Sequence, residues 1–159
     1  MTKASHVLVF LLLACVHANA WSYDKEMAAH FAKLFSKVEG ANAGKALHFI
    51  SPETFVRDLK AGKNMLAIDI RTPAEMDLLG LKIPNSLSIP VNELFENRNL
   101  ERIPTDKAVV IICKSGARAL AATTSLRHLG FNNAFILQGG MQGLSTYYGT
   151  GQAYDEAGN

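Results

Sequence analysis

The run "KAVVIIC" is the most apolar stretch after the N-terminus, and it ends on Cys113, followed by Lys114, Ser115, Gly116, Ala117 and Arg118. A thiol flanked by two cations and a glycine has three possible uses. It could fill the core at a strand end, form half of a disulfide, or act as a nucleophile. The residues after it bear on the choice. A strand that ends in a tight glycine-containing loop and turns into a helix near Ala117 leaves the first backbone N–H groups of that helix without partners. A loop wrapped around the sulfur would aim several of them at it, and Lys114 and Arg118 add positive charge at either end. All of these favour thiolate over thiol, whose reference pKa of about 8.5 falls to roughly 3.5–7.5 in such surroundings. A fall of ~2 units needs ~2.7 kcal/mol of differential stabilisation. A helix terminus alone supplies ~0.3–1 kcal/mol, up to ~2 in favourable geometries, so loop amides and a cation must contribute as well.

The cysteine count narrows the field. Cys15 and Cys113 are the two cysteines of the 159-residue chain. Residues 1–20 have the three parts of a secretory signal: a lysine-bearing start, the apolar run "VLVFLLLACV" and a small-residue close at Ala18 and Ala20. Cleavage before Trp21 is expected, which leaves Cys113 as the sole thiol of an exported, periplasmic or secreted protein and removes an intramolecular disulfide. The run is short of the roughly 20 residues that span a bilayer. "LLAC" also resembles a lipoprotein box, which would acylate Cys15; the downstream Ala-x-Ala site favours simple cleavage.

Net charge of +2, with 48% apolar and 19% charged residues, fits one ordinary globular core. No basic cluster is interleaved with aromatics, so nucleic acid is not an implied partner. Residues 21–45 read as a helical extension, with Met27, Phe31, Leu34, Phe35 and Val38 on one face of a helix from Trp21 to Val38. The main domain is expected over 46–148, with a flexible tail over 149–159. Within it, strands are expected at "ALHFI", "NMLAIDI", "SLSI", "KAVVIIC" and "NAFILQGG". Between them lie helices at "SPETFVRDLKAG", capped by Ser51, at "TPAEMDLLG", in pieces through "VNELFENRNLERIP", and at "ARALAATTSLRHLG", with "MQGLSTYY" as a last short one. This rhythm predicts an α/β domain with a central, mostly parallel sheet flanked by helices. Ligands of such sheets sit outside the carboxyl ends of the strands, where Asp69 and Cys113 fall.

Three stretches in register resemble the rhodanese sulfurtransferases, especially single-domain bacterial ones. "CKSGAR" resembles their active-site loop. "LAIDIRTPAEM" resembles their strand ending in Asp-x-Arg followed by Glu, here Asp69, Arg71 and Glu75. "FILQGGM" resembles their last strand with its Gly-Gly turn, here Gly139 and Gly140. The likeness spans roughly Ala46 to Tyr148. It implies a three-layer rhodanese-like fold and two-step transfer of sulfane sulfur through a Cys113 persulfide, without metal or cofactor. The implied donor is a small anion, thiosulfate or a polysulfide or persulfide. The implied acceptor is cyanide or a thiol, which a protein partner could supply. The amides of Lys114, Ser115, Gly116, Ala117 and Arg118 would hold the persulfide, and Lys114 or Arg118 would attract the donor. Asp69 and Arg71 would support the loop from behind, or form a purely structural pair. Related cysteine phosphatases place five residues between Cys and Arg; the four between Cys113 and Arg118 match the shorter sulfurtransferase loop. The chain departs from the family at "GLKIPNSL", at Met76 in place of a frequent aromatic, and at Leu144 where a Trp often follows the Gly-Gly turn.

Other residues carry less. His30, His48 and His128 lack metal-ligand spacing. Glu75 and Asp77 read as a solvated face, "GGMQG" as a turn, and the methionines as core. Two functions remain: a turning-over sulfurtransferase, and a carrier module that holds a persulfide for a protein partner.

Overall fold

The computed structural model describes residues 23–149, so the expected signal segment, Cys15 and nearly all of the tail lie outside them. The chain divides into two units, Met1–Lys33 and Leu34–Asn159. The helix α1, Lys25–Phe35, begins where the Asp24 carboxylate accepts the Met27 N–H at 2.8 Å, and carries Lys33 in its last turn, where it complements the helix dipole. It is shorter at both ends than the expected Trp21–Val38 helix. No helix among the described residues is long and apolar enough to cross a membrane.

The larger unit runs α2 (Ala43–Ala46), β1 (Phe49–Ile50), α3 (Pro52–Lys60), β2 (Met65–Asp69), α4 (Pro73–Leu78), β3 (Ser86–Ser88), α5 (Asn97–Leu100), β4 (Ala108–Ile112), α6 (Ala117–His128), β5 (Ala134–Leu137) and α7 (Gly140–Tyr147). The five strands form one parallel sheet in the order β1-β5-β4-β2-β3. Two expected elements are trimmed. "ALHFI" yields a two-residue strand, because a short helix precedes it and His48 takes a left-handed conformation at φ 64°. "VNELFENRNLERIP" yields one four-residue helix among turns. A third expectation is corrected. "GGMQG", read as a turn without a strand–helix setting, is the junction between β5 and α7.

Alternation along the strands sorts the core into two layers. Ile68, Ile111 and Ile136 are paired across β2, β4 and β5, and with Val109 and Cys113 they face Ala119, Ala122 and Leu126 of α6. Ala67, Val110, Ile112 and Leu137 face the other way, against Phe55 and Val56 of α3 and Leu144 of α7. Complete burial of an isoleucine contributes roughly 1.5–3 kcal/mol, so these rows fix the strand register. They thereby fix which residues emerge at the carboxyl ends of β2 and β4. From β4 the chain passes to β5 on one side, and from β2 to β3 on the other. The crevice at this switch point is where an open parallel sheet binds ligands.

Candidate active site

Cys113 is 1% exposed and follows β4 directly. Its Sγ accepts the Gly116 N–H at 3.1 Å and the Ala119 N–H at 3.4 Å. Both amides come from the loop and first turn of α6, whose N-cap, Gly116, has φ 97° and no side-chain cap. A residue with a side chain is strained in that conformation. The sulfur therefore takes the place a serine or aspartate oxygen fills at an ordinary helix start. Of the amides expected from Lys114 to Arg118, Gly116 supplies one; the second belongs to Ala119, one residue beyond. Ser115 and Ala117 are exposed at the loop's outer edge.

The loop is pinned from beneath by the start of α7. The Met141 N–H donates to the Cys113 carbonyl at 2.8 Å, and the Gln142 N–H to the Lys114 carbonyl at 3.0 Å. This close approach requires Gly140, where φ is 55° and an added Cβ would lie 2.2 Å from the Cys113 carbonyl oxygen.

The two cations of the loop have different surroundings. The Arg118 guanidinium donates to both carboxylate oxygens of Glu75, at 2.8 and 2.7 Å. Glu75 first, and the Cys113 sulfur beyond it, hold Arg118 further into its charged range, against the opposing effect of burial. Arg118, hydrogen-bonding first of all, and the Thr72 backbone next hold the Glu75 carboxyl well below the usual carboxylate range. Glu75 is thus not a merely solvated residue. It also closes a capping box: the Thr72 N–H donates to it at 3.0 Å, while its own N–H donates to the Thr72 hydroxyl at 3.3 Å. The spacing Thr72-x-x-Glu75 carries that half of its role. Its pairing with a residue 43 positions away has no local signature. Lys114 is exposed, and no described carboxylate pairs with it.

Asp69 and Arg71 leave the carboxyl end of β2, 1% and 4% exposed. The Arg71 Nε donates to both Asp69 oxygens at 3.0 and 3.1 Å, and its terminal nitrogens donate to the Glu75 carbonyl of α4 and to the Leu79 carbonyl that caps its end. A buried guanidinium needs this full set of acceptors. The pair anchors α4, α4 presents Glu75, and Glu75 holds Arg118 of the loop. Neither Asp69 nor Arg71 bonds to the sulfur. A cleft of about 620 Å³ opens beside the loop, bordered by Arg71, Glu75, Leu78 and Leu79 on one side and Lys114, Met141, Gln142, Ser145 and Thr146 on the other. Among the described residues no group of histidine, cysteine or carboxylate side chains could hold a metal ion.

An amide-lined sulfur at the switch point of a five-stranded parallel sheet defines the class, and comparison with known proteins agrees. A rhodanese-like domain model matches residues 51–146, and the chain belongs to that family. A sulfurtransferase of Allochromatium vinosum is 38% identical over 92 residues, covering 58% of this chain and 82% of that protein. A probable adenylyltransferase/sulfurtransferase of Mycobacterium tuberculosis is 32% identical over 92 residues. The matched part is 58% of this chain but 23% of that larger relative. The crystal structure of a rhodanese-related protein from Thermoplasma volcanium superposes with a TM-score of 0.54 at 30% identity, covering 64% of this chain and 93% of that one.

Proposed function

We propose that the protein is a sulfurtransferase that carries sulfane sulfur as a persulfide on Cys113. Family membership and the sulfurtransferase relatives support sulfur transfer in general. The observation that carries the assignment to this residue is the pair of amide donors on Sγ, from Gly116 and Ala119. Donors aimed at a buried sulfur stabilise negative charge on it, as the attacking thiolate and again when the pair of the breaking bond returns to Sγ.

In the first step the Cys113 thiolate attacks the outer sulfur of the donor. With thiosulfate, the new Sγ–S bond forms as the donor's S–S bond breaks, and sulfite leaves with the electron pair of that bond. In the second step an acceptor attacks the outer sulfur of the persulfide, and the pair of the breaking bond returns to Sγ. Cyanide leaves as thiocyanate, and a thiol leaves as a persulfide. Lys114, with no partner among the described carboxylates, is the cation that attracts an anionic donor. Arg118 is held by Glu75, so its part is to fix the loop and raise the positive potential around the sulfur. Asp69 and Arg71 act through α4 as positioning residues.

The test is turnover of thiosulfate and cyanide, with thiocyanate release and intact mass followed together. The wild-type protein is expected to gain the mass of one sulfur and to turn over; Cys113→Ser is expected to do neither. A persulfide mass without turnover would support the carrier reading instead. Absence of sulfur on Cys113 from either thiosulfate or polysulfide would overturn both.

A further inference from the structure

The chemistry at Cys113 leaves the opposite end of the sheet unused. From Lys107 along β4 to Cys113 the chain runs about 20 Å, at ~3.3 Å per residue. At that far end a hollow of about 450 Å³ opens between the edge strand β3 and the turn leading into β4. Leu66 of β2, Leu87 of β3 and Pro104 supply its apolar surface, and Asn85, Ser86, Arg102 and Lys107 its polar one.

The polar groups are largely donors without acceptors. The half-buried Lys107 ammonium has no protein partner among the described residues, and Arg102 has only the Asn99 side-chain oxygen, at 3.1 Å. The Asn85 side-chain amide has none. In the ladder with β2, Ala67 and Asp69 take the backbone groups of Asn85, Leu87 and Ile89. The Ser86 N–H is therefore left on the free edge of the sheet. No carboxylate lines the hollow; Glu101 and Asp106 adjoin the two cations in sequence but stand outside it.

Two asparagines hold these cations in place. Asn99, 4% exposed, donates to the Glu93 carbonyl at 2.8 Å and presents its oxygen to Arg102. The Asn133 amide donates to the Pro104 and Lys107 carbonyls at 2.7 and 2.6 Å, which fixes the turn that carries Lys107. Asn85 itself sits at φ 55°, a left-handed conformation that only His48 shares among the described residues other than glycine. Strain of this kind collects at binding sites. Two cations set on one hollow without a counter-charge repel each other, and an anion placed between them removes that cost.

We propose that this hollow is a second binding site, for a small organic phosphate. Arg102, Lys107 and the free amides of Asn85 and Ser86 hold the phosphate, and the apolar body lies against Leu66, Leu87 and Pro104. Two unbalanced cations call for a head of charge near −2, which a phosphate monoester approaches at pH 7 and a single carboxylate does not. Cys113 takes no part, so the site stands or falls independently of sulfur transfer.

The test titrates phenyl phosphate, inorganic phosphate and benzoate into the full isotope-labelled protein and follows its amide resonances. Phenyl phosphate is expected to give saturable shifts at Leu66, Ser86, Leu87 and Lys107. It should bind at least about fivefold tighter than inorganic phosphate, which lacks the apolar body, and than benzoate, which carries less charge. Arg102→Gln, at an exposed position, and Lys107→Gln are each expected to weaken it about tenfold while sulfur loading of Cys113 stays unchanged. Lys114→Gln, at the other end of the sheet, is expected to leave these shifts as they are. Shifts confined to the Cys113 loop, shifts that survive both Arg102→Gln and Lys107→Gln, or no saturation at all would overturn the site. Equal affinity for inorganic and phenyl phosphate would show an ion site only and overturn the organic ligand.

Discussion

Helices α4 and α6 both begin at the carboxyl ends of strands in the middle of the sheet, and they begin in opposite ways. At α4 the chain supplies its own caps: Thr72 and Glu75 satisfy each other's amides, and Pro73 has no N–H to satisfy. At α6 the cap is Gly116, without a side chain, and the free amides go to Cys113 Sγ. A helix that serves as scaffold closes its end with its own side chains. The helix beside the proposed nucleophile leaves its donors for the Cys113 sulfur. The two ends are joined by Glu75–Arg118, so the closed end positions the open one.

Gly140→Ala tests the open end most severely. Its Cβ would sit 2.2 Å from the Cys113 carbonyl oxygen in a left-handed backbone. A stability loss of about 3 kcal/mol or more by denaturant titration is expected, from overpacking of ~1–3 kcal/mol together with ~1–2 for the conformation. Gly116→Ala is a gentler version of the same test. The nearest atom to its Cβ would be 3.5 Å away, so conformation is the cost: about 1–2 kcal/mol, with sulfur loading reduced at least about tenfold as the amides turn from Sγ. An Ala variant that loads normally would show that the left-handed turn is dispensable.

Glu75→Gln cuts the link between the two ends. It is expected to slow sulfur loading several-fold with the fold retained. The pH dependence carries a sign. Because the folded state holds Glu75 below its ordinary range, its contribution is complete above the unfolded glutamate pKa of about 4.3 and declines as pH falls through that value towards the folded one. The stability difference between wild type and Glu75→Gln should therefore be constant near pH 7 and shrink below about pH 4. A difference that grew on acidification would contradict the pairing. Ser51→Ala, at a scaffold cap away from the site, is expected to have the smallest effect. It removes the cap of α3, where the Ser51 hydroxyl accepts the Thr54 N–H at 3.1 Å. About 1 kcal/mol of stability should be lost, with sulfur loading unchanged; a loading defect would mean that the scaffold caps are not independent of the site.

Much of this was legible in the sequence because local chemistry carried it. Ser51-Pro52 and Thr72-Pro73 announce the starts of α3 and α4, and the run before Cys113 announces β4. The thiol, the glycine and the loop length point to sulfur. What stayed hidden depends on residues distant in the chain. Glu75 reads as a surface carboxylate until α4 and α6 stand side by side. Asp69–Arg71 reads equally as structure or support until Arg71 is seen holding α4 by its carbonyls. Lys114 and Arg118 look equivalent by type, yet one faces an open cleft and the other is held by a carboxylate.

The hydrogen bonds from Met141 and Gln142 to the carbonyls of Cys113 and Lys114 have a dynamic consequence. The first turn of α7 and the sulfur loop cannot open separately, since each is the other's hydrogen-bond partner. The proton on the Met141 nitrogen exchanges with solvent when that contact parts. Its exchange rate is therefore a native clock for how often the loop around the Cys113 sulfur comes undone.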